Sequence, residues 1–380
     1  MKKAAAILLV IGLLFCCAAC AISTEPPAPT GRPVIWADPV IEQSVRAVLK
    51  KPEGTILTGE LGRFELVAIM DKGVQWNHGE FYRLDSVTTL EDLLKFPNLT
   101  SLTLTQSSIS DLSAVGQMRS LQQLYLLNNP NLADISPISD LPKLTDLLIS
   151  QNQSLTDLSP IRALPALVRL DLRANRLTTF DFEGVLPQLR VLFLDQNNIS
   201  DLGFVSGLVN LNELDLQGNR ITDIGPLANL ENLLTLRLDS NRISDLAPLS
   251  GMTRLIHLSF SANLVENITV ISRFEDLETL DVARNQIEGL SPIAKMKKLW
   301  RLNAGSNALS DTVITDLKKL KSLRWLDLSN NAISNVLPLR KHSLTYLNLS
   351  GISVTRPDID ELRKKLPRCE IVWERSSSVT

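Results

Sequence analysis

Leucine and related aliphatic residues return along this chain in a fixed pattern, Leu-x-x-Leu-x-Leu, followed by two variable positions and, in most copies, an asparagine. Starts fall at Leu99, Leu121, Leu144, Leu167, Leu189, Leu211, Leu233, Leu255, Leu277, Leu299, Leu323 and Leu344. Neighbouring starts are 22 residues apart for most of the stretch, with 23 twice near its beginning and then 24 and 21 near its end. In the copy from Leu211 to Leu230 every apolar slot is filled. There Leu214 and Leu216 alternate with Glu213, Asp215 and Gln217, which predicts a short strand with leucines on the core side and polar residues on the other. One unit cannot bury its leucines alone, but stacked units pair their strands in parallel and close a continuous apolar interior. Twelve strands at ~4.8 Å spacing predict a strip roughly 55 Å long.

Such a period is a leucine-rich-repeat signature. It predicts an α/β solenoid, a right-handed superhelix of about 22-residue repeats with a parallel β-sheet on the concave face and short 3-10 or helical turns on the convex face. After each strand stands Asn129, Asn152, Asn175, Asn197, Asn219, Asn241, Asn263, Asn285, Asn307 or Asn331. A buried turn leaves peptide groups without strand partners, and a side-chain amide offers both a donor and an acceptor for them, so this column reads as a structural ladder. Ser107 stands in its place in the first full repeat and Ile352 after the last. Return segments such as Asp134-Ile135-Ser136-Pro137 and Asp157-Leu158-Ser159-Pro160 read as short helix starts at the serine. The recurrent aspartate, including Asp111, Asp201, Asp223, Asp245 and Asp311, reads as a turn cap and not as a catalytic acid.

The pattern Asn-x-Ile-x-Asp-Ile/Leu-x-Pro-Leu, present at Asn219 to Leu227 and Asn241 to Leu249, resembles the internalin-type bacterial repeat proteins. The resemblance covers residues 34–373 and implies a solenoid that binds host or cell-surface proteins. Around the repeats of residues 99–350, residues 34–98 read as an N-terminal cap and residues 351–375 as a helix–strand C-terminal cap, with 376–380 a tail. In the N-terminal cap, Asp38-Pro39 opens an amphipathic helix and Thr58 a second short one; a hairpin-like insertion carries strands around Asp71 to Gly79. Val87, Leu90, Leu93 and Phe96 form a degenerate first repeat. Asp358 to Leu366 reads as the closing helix and Cys369 to Trp373 as a last strand. The ending Leu-Pro-x-Cys-Glu-Ile is similar to that of related bacterial repeats, which implies that Cys369 is core of the cap and not a reactive thiol.

At the N-terminus, Lys2 and Lys3 precede an apolar run from Ala4 to Phe15, a targeting segment rather than a comfortable membrane span. It closes on Cys17-Ala18-Ala19-Cys20 and resembles a bacterial lipoprotein signal, with residues 1–19 removed and Cys20 diacylated. This implies an exported body, lipid-anchored to a bacterial cell membrane or outer membrane. An ordinary signal peptide cleaved near Ala19 is the alternative. The segment after Cys20 is rich in Pro and small residues and reads as a tether through residue 33; at ~3.1 Å per residue it reaches roughly 40 Å.

Composition narrows the function. The chain is 44% hydrophobic and 21% charged, with a net charge of −2, which is neither a disordered composition nor a nucleic-acid binder's. Only His78, His257 and His342 are present, and no Cys or His spacing suits a metal. A nucleophile elbow, P-loop or dinucleotide fingerprint is missing, so no cofactor is expected and an envelope hydrolase is only a remote alternative. The informative positions are those on the outward strand face, which the fold leaves free. Its N-terminal half carries Tyr125, Leu127, Leu148, Val191 and Phe193, apolar residues where water is the expected neighbour, with Arg169 among them. Its C-terminal half offers His257, Arg301, Trp325 and Tyr346. Trp, Tyr and Arg are frequent interface anchors, so the leading expectation is a protein partner on the concave face. A cell-wall or host glycan is the rival ligand, because aromatic rings beside polar groups also hold sugars.

Overall fold

The computed structural model describes residues 30–152, 154–179 and 186–374; the signal segment, Cys20 and the last residues of the tail lie outside them. The repeats build twelve successive strands: β4 (Ser101–Thr105), β5 (Gln123–Leu127), β6 (Asp146–Ser150), β7 (Arg169–Asp171), β8 (Val191–Phe193), β9 (Glu213–Asp215), β10 (Thr235–Arg237), β11 (His257–Ser259), β12 (Thr279–Asp281), β13 (Arg301–Asn303), β14 (Trp325–Asp327) and β15 (Tyr346–Asn348). Each pairs in parallel with the next, in register, so that equivalent residues of successive repeats stand side by side. Leu214 opposes Leu192 on one side and Leu236 on the other, and all three are fully buried. A single apolar cluster runs from Val40 to Leu366.

What turns the chain out of each strand is a left-handed residue, followed in ten of the twelve repeats by the ladder asparagine. Gln106, Asn128, Gln151, Ala174, Gln196, Gly218, Ser240, Ala262, Arg284, Ser306, Asn330 and Gly351 all have positive φ, between 51° and 70°. Most of them carry a Cβ, so the turn is held against a local cost of roughly 1–2 kcal/mol each. The compensation lies next to them. Asn219 Nδ2 donates to Leu194 O of the preceding repeat at 3.0 Å and to Leu216 O of its own at 2.9 Å, and its Oδ1 accepts from Ile199 N at 2.9 Å. One amide thus joins two repeats and satisfies three buried peptide groups. The same pattern recurs at Asn241, Asn263, Asn285 and Asn307. In the two longer repeats an extra residue follows Asn129 and Asn152, which moves the usual donor away. There the next repeat's oxygen takes the asparagine's own N–H, as in Asn129 N to Asn152 Oδ1 at 2.9 Å and Asn152 N to Asn175 Oδ1 at 3.1 Å.

Return segments are mostly 3-10 turns, with five-residue helices α2 (Ser113–Gln117) and α3 (Val313–Leu317) at two of them. The serine of the Ser-Pro pairs is the first residue of its turn and not the cap. The capping acceptor is the aspartate before it: Asp134 Oδ1 takes Ser136 N at 2.7 Å, and Asp157 Oδ1 takes Ser159 N at 2.8 Å. Asp311 differs, reaching forward to accept from Ser334 N and Asn335 N in the next repeat.

Before the repeats, helix α1 (Pro39–Leu49) is capped by Asp38, whose Oδ1 accepts from Val40 N at 2.8 Å. Its Oδ2 accepts from Thr88 N at 2.7 Å, while buried Asp92 accepts from Ala37 N and Asp38 N. Around this knot Phe64, Trp76 and Phe96 pack as a ring cluster with centroids 4.7–5.4 Å apart. The segment that reads as an inserted hairpin is continuous with the solenoid. Its strand β1 (Leu66–Met70) pairs in parallel with β4, and β2 (Gly73–Trp76) and β3 (Phe81–Arg83) extend the sheet antiparallel from there. At the far end, helix α4 (Arg356–Lys365) starts two residues before the sequence boundary because Thr355 and Asp358 cap each other, and β16 (Glu370–Val372) pairs in parallel with β15. Cys369 is half-buried there, and burial, with Glu370 beside it, pushes its thiol up to about 11.

Asn219→Ala removes all of these hydrogen bonds while leaving the backbone turn in place. Chemical denaturation should show a loss of about 1–3 kcal/mol; an unchanged midpoint would remove the ladder from its place in the fold.

Candidate functional site

The outward sheet face is organised in columns that run across the strands. Parallel register places Arg169, Val191, Glu213, Thr235, His257, Thr279, Arg301, Trp325 and Tyr346 in one column. Tyr125, Leu148, Asp171, Phe193 and Asp215 share the adjacent one. The N-terminal half brings Tyr125 beside Leu148, with Leu127 at the end of the same strand as Tyr125; all three are half-buried, as are Val191 and Arg169. Strict alternation predicts that Phe193 faces water, and it does not. It is 6% exposed, because the Arg169 and Arg173 guanidinium groups lie over its ring at 4.7 and 4.9 Å. Only neighbours from adjacent repeats could roof it, and a single strand's pattern does not contain them.

Polar residues on this face are more buried than their slots imply. Asp171, Asp195 and Asp215 are nearly inaccessible. Arg173 binds Asp171 at 2.8 Å and comes within 3.8 Å of Asp195; Arg237 bridges Glu213 at 3.0 Å and Asp215 at 3.3 Å. Burial raises the Asp195 carboxyl, opposed by Arg173, and pushes the Asp215 carboxyl up to about 6, with Asp195 adding to the shift and Arg237 opposing it. The aspartates also have a local task that the sequence reading missed. Asp215 Oδ1 accepts from Gln217 N, Asp281 Oδ1 from Ala283 N and Asp327 Oδ1 from Ser329 N, at 2.8–3.1 Å. Asn303 and Asn348 do the same for Gly305 and Ser350. The signal was the recurrence of Asp or Asn at one strand-end slot, since these side chains bond the backbone two residues on.

In the C-terminal half three of the four expected residues form a continuous stack, and His257 stands apart from it beyond Thr279. The Arg301 guanidinium lies 4.0 Å from the Trp325 ring centroid, and the Trp325 and Tyr346 rings stack at 4.8 Å with an interplanar angle of 5°. That spacing is the separation of neighbouring strands, so flat side chains in one column meet face to face. Burial, with Asp327 and Glu370, raises the Tyr346 phenol above its usual range. On the other side of Arg301, His257 Nδ1 lies 2.9 Å from Thr279 Oγ1. Together with Arg237, Ser259 and Asp281 these residues line a hollow of about 310 Å³. Arg176, Arg220 and Arg242, on the sheet's rim, are exposed and make no ion pair among the described residues. Among the described residues no cluster of His, Cys, Asp or Glu is placed to hold a metal, and no helix is long and apolar enough to cross a membrane.

Residues 187–229 match the family described as Leucine Rich repeats (2 copies), and residues 322–340 the family described as Leucine Rich Repeat. The fold is that of a leucine-rich-repeat solenoid. It is similar to an internalin (inlF) from Listeria monocytogenes, at 25% identity over 92% of this chain and 93% of that one, with a TM-score of 0.65. A leucine-rich-repeat protein of Leptospira interrogans is 28% identical over 74% of each chain, with a TM-score of 0.68. The plant peptide hormone receptor RGFR1, in complex with RGF2, shares the fold at 20% identity over 75% of this chain and 49% of its own, with a TM-score of 0.60. Among curated proteins, none matches the chain by sequence.

The raised Asp215 carboxyl predicts a pH effect. Its folded value of about 6 lies above the usual 3.8, so the folded chain holds this proton more tightly than the unfolded chain does. The stability it contributes is therefore full below about 4 and lost as pH rises through about 6. Between pH 5 and 7.5 the wild type should lose about 1 kcal/mol that Asp215→Asn does not lose. Thermal melts at the two pH values check this, and a parallel pH response of the two proteins would exclude it.

Proposed function

We propose that the chain is a non-enzymatic, exported and lipid-tethered module that binds another protein through the outward, concave face of its sheet. The observation that carries this reading is the Arg301–Trp325–Tyr346 stack. These residues lie on the side of the sheet opposite the leucine core, so folding does not require rings there, and Trp, Tyr and Arg together are the side chains that dominate protein interfaces. The Listeria internalin is a relative in fold along nearly the whole chain, and the plant receptor of the same fold is in complex with RGF2, which supports a binding role for the scaffold. A glycan is the weaker reading. Strand β14 stands between β13 and β15, so Arg301 and Tyr346 approach the Trp325 ring from opposite sides and leave its edge, not its face, for a ligand. Sugar rings bind aromatic faces.

Two experiments test the two halves of the proposal. A partner recovered on the wild-type protein from envelope or host-cell extracts should bind Trp325→Ala/Tyr346→Ala at least ~30-fold more weakly, the scale of a central contact. Removing one stacked cross-strand pair should cost no more than about 1 kcal/mol of stability. A normally folded double variant with wild-type affinity would move the site elsewhere on the face. For the anchor, Cys20→Ala should shift the protein from the membrane fraction to the soluble one, because the two acyl chains on one cysteine supply the hold that a single chain lacks. Unchanged partitioning would leave Cys20 unmodified.

A further inference from the structure

Four arginines, Arg169, Arg173, Arg237 and Arg301, occupy outward positions on or next to the strands, and their surroundings differ. Arg173 is taken by Asp171, and Arg237 by Glu213 and Asp215. Arg169 is half-buried over Phe193. Arg301 is exposed, lies over the Trp325 ring, and makes no ion pair among the described residues. Two carboxylates of the adjacent column are already engaged by hydrogen bonds, although Asp281 still feels the Arg301 charge. Asp281 accepts from Ala283 N and from Asn303 Nδ2 at 2.8 Å, and Asp327 accepts from Ser329 N, Ser329 Oγ and Asn348 Nδ2. The guanidinium fork therefore stands orientated and unpaired on the wall of the 310 Å³ hollow, with Thr279 and the exposed His257 along the same column. An arginine stacked on an aromatic ring loses little further freedom when it binds a planar anion through two parallel N–H bonds.

Resting on the protein-binding reading above, we infer that this hollow receives a carboxylate side chain from an acidic polypeptide segment, with Arg301 as its bidentate anchor. The segment's neighbouring side chains pack on the exposed edges of Trp325 and Tyr346. The hollow's volume admits one such side chain with a few waters, each of which takes ~30 Å³. Asp281 lines the same hollow.

Random hexapeptides displayed on phage, selected on the full chain, provide the probe. Wild type should enrich sequences containing Asp or Glu beside an aromatic or aliphatic residue. For one such peptide, fluorescence anisotropy should show about a 10-fold or greater loss on Arg301→Gln, and an equal loss when the peptide's acid is changed to its amide. The two changes made together should cost no more than either alone, because they remove one shared contact. Arg301→Glu, with an unchanged melting curve, should lose the acidic peptides and enrich basic ones. Peptides that bind through Trp325 and Tyr346 with no acidic preference would overturn this inference while leaving the protein-binding reading standing. Failure to enrich any peptide, with Arg301-dependent retention of polygalacturonate instead, would overturn both in favour of a carboxylated glycan.

Discussion

The asparagine amide that closes ten of the twelve turns is the interaction on which the remaining structure depends. Every repeat leaves its strand through a left-handed residue, a conformation that points the next side chain inward and strips nearby carbonyls of strand partners. One buried amide then donates to its own repeat and to the preceding one, and accepts a peptide N–H from that neighbour. Because each unit is tied to the unit before it by the same bonds, strand register is transmitted along the solenoid. Even the 23-residue repeats keep it, since the amide oxygen exchanges one donor for another when an extra residue intervenes. The leucines supply the bulk of the hydrophobic driving force, but they are interchangeable in kind. The amide makes the stacking a specific translation.

Register of that quality decides what the outward face can present. Residues that are a repeat apart in sequence become neighbours at the strand spacing, and flat groups at equivalent slots stack, Arg301 on Trp325 and Trp325 on Tyr346, while Arg169 and Arg173 reach over Phe193 from two residues either side of its opposite number, Asp171. The first arrangement leaves an exposed, pre-orientated edge. The second buries its ring and ties Arg173 into the carboxylate network of Asp171 and Asp195. The two halves of one face thus differ in character: the N-terminal half is partly sealed over Phe193, while the C-terminal half keeps an exposed, unpaired guanidinium beside a hollow.

The sequence by itself determined the repeat, the alternation that separates core leucines from outward residues, the 3-10 returns and the column of ladder asparagines. Each of these follows from local chemistry repeated at a fixed period: an apolar side chain at every second strand position, an amide at each turn, an aspartate two residues before a free N–H. It also brought His257, Arg301, Trp325 and Tyr346 to one column, because a constant period converts sequence spacing into lateral adjacency. Tertiary structure alone decided exposure and partnership across repeats. Phe193 occupies an outward slot yet is covered by two arginines of the preceding repeat, and Asp215 sits in a polar slot yet is buried enough to hold its proton to about pH 6. The entry hairpin likewise reads as an insertion until β1 is seen paired with β4. Periodicity states which side of the sheet a residue faces, whereas its contact with water depends on the reach of long side chains from adjacent strands, and only the folded chain brings those together.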